Sequence, residues 1–139
     1  MNVFDIDKRE ILFVQQPDNL TCTVACVAMI AGVSFDDALF AHIDLGKPPY
    51  AENESMIALV RLGVFSRKQI DNQLIEGRLY MADVPSINVL GVMHAIVIDT
   101  RNKDSIKVYD PQQGKENIKH YTYEILQGFS NLIWCIKVK

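Results

Sequence analysis

The stretch QPDNLTCTVACVAMI, residues 16–30, carries the reading of this chain. Thr21 stands where it can cap a helix running from Cys22 to about Ala31, with Gly32 as its stop. That places the Cys22 thiol at the start of an apolar helix. The helix dipole and the unbonded N–H groups of a first turn favour a thiolate there, and the thiolate is the nucleophilic form. Gln16 lies six residues earlier on the approaching loop. A side-chain amide from that position, together with the Cys22 backbone N–H, suits an oxyanion formed when sulfur attacks a carbonyl. Gln15 is adjacent and competes with Gln16 for the inward position.

Two segments downstream complete a constellation. His94 opens the apolar run His94-Ala95-Ile96-Val97-Ile98, and Asp110 follows the run that ends at Tyr109, in Asp110-Pro111-Gln112-Gln113-Gly114. If these runs pair as a hairpin around Arg101–Asp104, His94 and Asp110 fall at the same end of it. A carboxylate there can hold one imidazole nitrogen and leave the other for a thiol.

These segments resemble peptidase family C39, papain-fold cysteine peptidases best known for trimming double-glycine leader peptides from bacteriocins. The family has a Gln six residues before its catalytic Cys and a helix that continues Ala, Cys, Ala, Met, Ile in this order. Its catalytic His opens an apolar strand, and its third residue lies in Asp-Pro-x-x-Gly. The resemblance therefore implies Cys22 as nucleophile, His94 as base, Asp110 as orienter and Gln16 in the oxyanion hole. Thr21 and Thr23 flank the cysteine where the family has Asp and Gly, and Val84-Pro85 is only a loose counterpart of its Leu-Pro strand. With no transporter segment present, the expectation is a free-standing bacterial domain.

The bulk properties agree with one domain over residues 1–139. Hydrophobic residues make up 49% and charged residues 22%, the mix of a globular core and not of a disordered chain. The formal charge of −3 supplies no overall attraction to nucleic acid, so a nuclease is a poor reading. No apolar run approaches the ~20 residues of a membrane helix, and the N-terminus lacks the uninterrupted apolar stretch of a signal peptide. The expected location is the cytoplasm.

Three cysteines, Cys22, Cys26 and Cys135, form no disulfide framework. Cys26 and Cys135 read as core residues. A lone C-x3-C without a second pair does not make a structural zinc site, so neither metal nor cofactor is expected. His42 and His120 read as surface or half-buried.

Secondary-structure signals divide the chain. After the Cys22 helix, Ser34 and Asp37 resemble a capping box for a second helix ending near Gly46, and Gly46–Asn53 is loop-rich. Ser55 to Leu62 suggests a third helix ending at Gly63, and Ser66 to Gly77 a short fourth. Leu79–Val84, Ile87–Leu90, His94–Asp99, Ile106–Tyr109 and Leu132–Val138 read as strands. Turns are expected at Asp83–Pro85, Leu90-Gly91, Arg101–Asp104 and Asp110–Gly114. Helices first and an antiparallel sheet second is an α+β fold.

The expected function is that of a cysteine hydrolase, in the first instance a peptidase acting on a protein or peptide, with a cognate inhibitor or immunity protein as a conceivable partner. The same residues would also serve a deamidase or acyltransferase, as in a toxin or effector domain. A peptide-binding module without turnover is the non-enzymatic alternative.

Overall fold

The computed structural model describes residues 10–71, 73–85, 93–102, 106–111 and 131–137. Among these residues three helices come first: α1 (Cys22–Ala31), α2 (Phe35–Ala41) and α3 (Glu52–Arg61). Five described strands follow: β1 (Val64–Gln69), β2 (Leu79–Pro85), β3 (Met93–Asp99), β4 (Lys107–Tyr109) and β5 (Asn131–Lys137). They form one sheet in the order β1-β5-β2-β3-β4, with every neighbouring pair antiparallel. The expected α+β arrangement is the observed one.

α1 is buried on all sides. Every residue from Thr23 to Ala31 is enclosed, and the helix packs against β3, α2 and α3. Each fully buried Val, Ile or Met side chain in such a helix contributes about 1.5–3 kcal/mol. Gly32 ends it in the left-handed region at φ 72°, and its N–H reaches Ala28 O at 2.9 Å. A side chain at that φ would be strained, which is why glycine stops the helix here. Thr21 occupies the capping position, but its hydroxyl does not cap. It donates to Asp18 Oδ1 at 3.0 Å instead.

α2 starts as expected, with Ser34 Oγ accepting from Asp37 N at 3.1 Å. α3 begins three residues earlier than Ser55, because Glu54 reaches back to accept from Ala51 N at 2.8 Å. Arg61 ties the two helix ends together. Its Nη1 donates to Ala41 O and Ile43 O, and its Nη2 to Asp44 Oδ1.

The sheet separates two apolar clusters. Leu79, Met81, Ala95, Val97 and Tyr109 join the helices in one core, while Tyr80, Ala82, Val84, Ile96, Ile98 and Val108 form a second. The alternation within β2 and β3 produces this division.

Two expectations of local structure are overturned. The segment read as a fourth helix from Ser66 forms most of β1, which pairs with β5 from Val64↔Lys137 to Gln69↔Leu132. Its run Ser66-Arg67-Lys68-Gln69 is polar because β1 is an edge strand, and edge strands carry charge that blocks further pairing. Asp83–Pro85 is not a turn but the end of β2, opposite Ala95, His94 and Met93. Proline, which lacks a donor, is tolerated at that strand terminus. The expected strand Ile87–Leu90, the Leu90-Gly91 turn and His120 lie outside the described residues.

His42 is the third correction. It is 1% exposed, with Nδ1–H donating to Ala38 O at 2.7 Å and its ring tilted against Tyr50 at 4.4 Å between centroids. Nε2 is buried with no hydrogen-bond partner. Burial, the largest influence, pushes its pKa below the ordinary 6.5, so the folded ring stays neutral where the unfolded one takes a proton. Stability attached to His42 is therefore complete above about pH 6.5 and falls as pH drops below it. In urea unfolding, the stability of His42→Gln relative to the native protein is expected to rise as pH falls from about 7 to 5.5.

Candidate functional site

Cys22 is the first residue of α1, half-buried with a free thiol. The loop leading to it is organised by Asp18, whose Oδ1 accepts from Leu20 N at 2.8 Å and from the Thr21 hydroxyl. The same residue's backbone oxygen accepts from Gln16 Nε2. Sequence reasoning passed over Asp18. The signal was present in Pro17-Asp18-Asn19, since an Asp that bonds the backbone two residues on is a common turn device.

Of the two candidate glutamines, Gln16 points inward. Its exposure is 6%, whereas Gln15 is exposed. One N–H of the Gln16 amide serves Asp18, and its Oε1 is buried without a partner. The Gln16 backbone N–H donates to Pro111 O at 2.8 Å. That bond joins the loop before Cys22 to the residue after Asp110, so the first and last members of the constellation share one piece of backbone.

His94 and Asp110 meet through the β3–β4 hairpin. Val97 stands opposite Tyr109, and the pairing runs toward the turn as Ile98↔Val108 and Asp99↔Lys107. Continued the other way, this register brings Asp110 beside Ile96, two residues from His94. His94 Nε2 and Asp110 Oδ1 are 2.7 Å apart. The side chains are 6% and 1% exposed. In that geometry Nε2–H donates to the carboxylate, which leaves Nδ1 unused by Asp110, and Cys22 is near enough to act on the ring.

The electrostatics of His94 are a contest. Burial, the largest single influence, favours the neutral ring; hydrogen bonds to Asp110 and Cys22, with the charge on each, favour the cation and win. The result is a pKa raised from 6.5 to about 9. The hairpin thus supplies a buried imidazolium held between a carboxylate and a sulfur.

The structure brings Cys22, His94 and Asp110 together, and Gln16 joins them through its backbone bond to Pro111 O. Gln112 to Gly114 of the Asp-Pro-x-x-Gly segment lie outside the described residues, as does the Cys135 side chain. Cys26, one turn beyond Cys22, is buried in the helix core, as expected. No single helix among the described residues is long and apolar enough to cross a membrane.

No protein-family model matches the chain, and no curated protein matches it in sequence. Solved structures do. A double glycine motif protease from an AMS/PCAT transporter, determined in complex with the leader peptide, superposes with a TM-score of 0.61. The match covers 93% of each chain at 11% identity. At that identity the likeness speaks for the backbone alone, and this chain has the papain-like fold of the double-glycine peptidases.

Proposed function

We propose that this protein is a cysteine peptidase that uses Cys22 as nucleophile, His94 as acid and base, and Asp110 to orient His94. The observation that carries the reading is the 2.7 Å contact between buried His94 and Asp110, on an imidazole whose pKa Cys22 also raises. A buried ion pair is costly to maintain for stability alone, so its place beside a thiol at a helix start favours a chemical role. The papain-like fold and the neighbour's complex with a leader peptide support a peptide as the substrate.

The steps follow from the protonation state. The Cys22 thiolate attacks the carbonyl carbon of an amide, and the carbonyl oxygen takes the negative charge. The Cys22 backbone N–H and the second N–H of the Gln16 amide stabilise that oxygen. His94 passes its proton to the departing amine, the C–N bond breaks, and a thioester remains on Cys22. Neutral His94 then takes a proton from water, whose oxygen attacks the thioester and releases the acid. Asp110 accepts from Nε2 throughout, which keeps Nδ1 facing the sulfur.

A peptide library digested with the protein is expected to yield new amine and carboxylate termini, read by mass spectrometry. Cys22→Ala should abolish them. A Gln-to-Glu mass change without chain cleavage would replace the peptidase with a deamidase, and no product of either kind would leave a binding domain. Asp110→Asn should lower kcat by about 10²–10⁴-fold, by loosening His94 and removing the charge that stabilises its cation.

The raised pKa has a consequence for stability. A His protonated more readily in the folded state contributes stability that is complete below about pH 6.5 and lost as pH rises through about 9. The His94 ring resonances should titrate near that upper value in the native protein. In Asp110→Asn the midpoint should fall, and the alkaline loss of stability should shrink with it.

A further inference from the structure

The Gln16 side chain ends in an amide with a donor end and an acceptor end of nearly the same shape. The group is buried, and its Oε1 has no hydrogen-bond partner. Its Nε2 donates to the backbone oxygen of Asp18. That oxygen can accept from Nε2 but has no proton to offer Oε1, so it decides which end of the amide lies where. Both N–H groups sit on one planar nitrogen. Fixing the first therefore fixes the direction of the second.

The Asp18 carbonyl is held in turn by the Asp18 side chain. Oδ1 accepts from Leu20 N at 2.8 Å and from the Thr21 hydroxyl at 3.0 Å, the two residues directly before Cys22. Thr21 is buried, and its backbone oxygen accepts from Ala25 N at 3.1 Å, which ties it to α1. At the other end of the loop, Gln16 N is bonded to Pro111 O. The loop is pinned at both ends, and Asp18 fastens its middle.

An oxyanion hole works because its donors are in place before the charge develops. A glutamine on an untied loop would have to be ordered at that moment, and its contribution would shrink by the entropy lost. Thr21 matters for the same reason. The C39 family has an aspartate there, and an ionised aspartate only accepts hydrogen bonds. The hydroxyl donor to Asp18 is therefore a feature of this chain.

We propose that Asp18 is a positioning residue for the oxyanion hole. Its carboxylate, bonded to the Leu20 N–H and the Thr21 hydroxyl, holds the carbonyl that orients the Gln16 amide. The place of that amide in a hole rests on the peptidase reading above; the chain of bonds from Thr21 to Gln16 rests on the loop. Asp18 touches no reacting atom and acts through Gln16.

The test compares two reagents on one thiol. p-Nitrophenyl acetate acylates Cys22 by attack of sulfur on a carbonyl, with an oxyanion formed on the way and p-nitrophenolate leaving. Iodoacetamide alkylates the same sulfur by displacement of iodide, with no oxyanion. Both rates are mapped to Cys22 by mass spectrometry and corrected with Cys22→Ala. Asp18→Ala should slow acylation by about tenfold, part of the roughly 10²–10³-fold that loss of a whole donor costs. Its alkylation should stay within about twofold of the native rate. Thr21→Val removes one of the two donors to Asp18 and should slow acylation less. Asp18→Asn keeps an oxygen that accepts both bonds and should restore most of the rate. Thermal unfolding checks that each variant is folded.

In Gln16→Ala the amide is gone, and adding Asp18→Ala to it should cost acylation nothing further. Losses that simply add would overturn the proposal, because Asp18 would then act elsewhere. Equal slowing with both reagents would overturn it too, since Asp18 would be shaping the thiol and not the hole. So would Asp18→Asn as slow as Asp18→Ala, which would make the charge responsible and not the bonds. The peptidase reading is tested apart, by digestion of the peptide library. No cleavage there, with the acylation difference intact, would remove the peptidase and leave Asp18 supported. Cleavage without that difference would keep the peptidase and remove the role of Asp18.

Discussion

A ten-residue helix with no polar face to give to water must be enclosed, and α1 is enclosed by α2, α3 and β3. That burial determines where its first residue can be. Cys22 stands at the only end of the helix that is not capped by glycine, and the helices and sheet converge on it. The arrangement around the thiol follows from this constraint: the Asp18 loop that delivers the chain to the helix, the Gln16 backbone bond to Pro111 O, and the strand β3 that presents His94.

The second determinant is register. In an antiparallel pair a slip of one residue turns a side chain to the opposite face. The β3–β4 register that sets Val97 against Tyr109 is thus what allows Asp110 to bond His94. The end of β3 is braced by Asp99, whose carboxylate accepts from the backbone and the guanidinium of Arg101. Burial and this guanidinium act on Asp99 in opposite directions, and the guanidinium prevails: the carboxyl is held below its usual range. The site is built on strand and helix termini whose positions are set by the core, which is what precise orientation of a reacting group requires.

Much of this was legible in the residues themselves. The Cys22–Ala31 helix, the hairpin and the meeting of His94 with Asp110 follow from apolar periodicity, turn residues and strand pairing. β1 was not legible, because Ser66 to Gln69 carries the polarity of an edge strand and its partner β5 lies about seventy residues away. Nor was His42, whose burial depends on packing against Tyr50 across the α2–α3 connection. Local pattern reports which face of an element is apolar; it does not report what a distant element will cover. Thr21 shows a related failure, since Asp18 captured the hydroxyl that a cap would use.

The central claim is that His94 governs the chemistry of Cys22. The most direct measurement is the rate of Cys22 alkylation by iodoacetamide from about pH 5 to 9, in the native protein and in His94→Ala, with the modified residue mapped by mass spectrometry. The account predicts rapid labelling well below the ~8.5 of a free thiol, slowed by about tenfold or more in His94→Ala at pH 6. Labelling that follows an ordinary thiol's profile and is indifferent to His94 would contradict it.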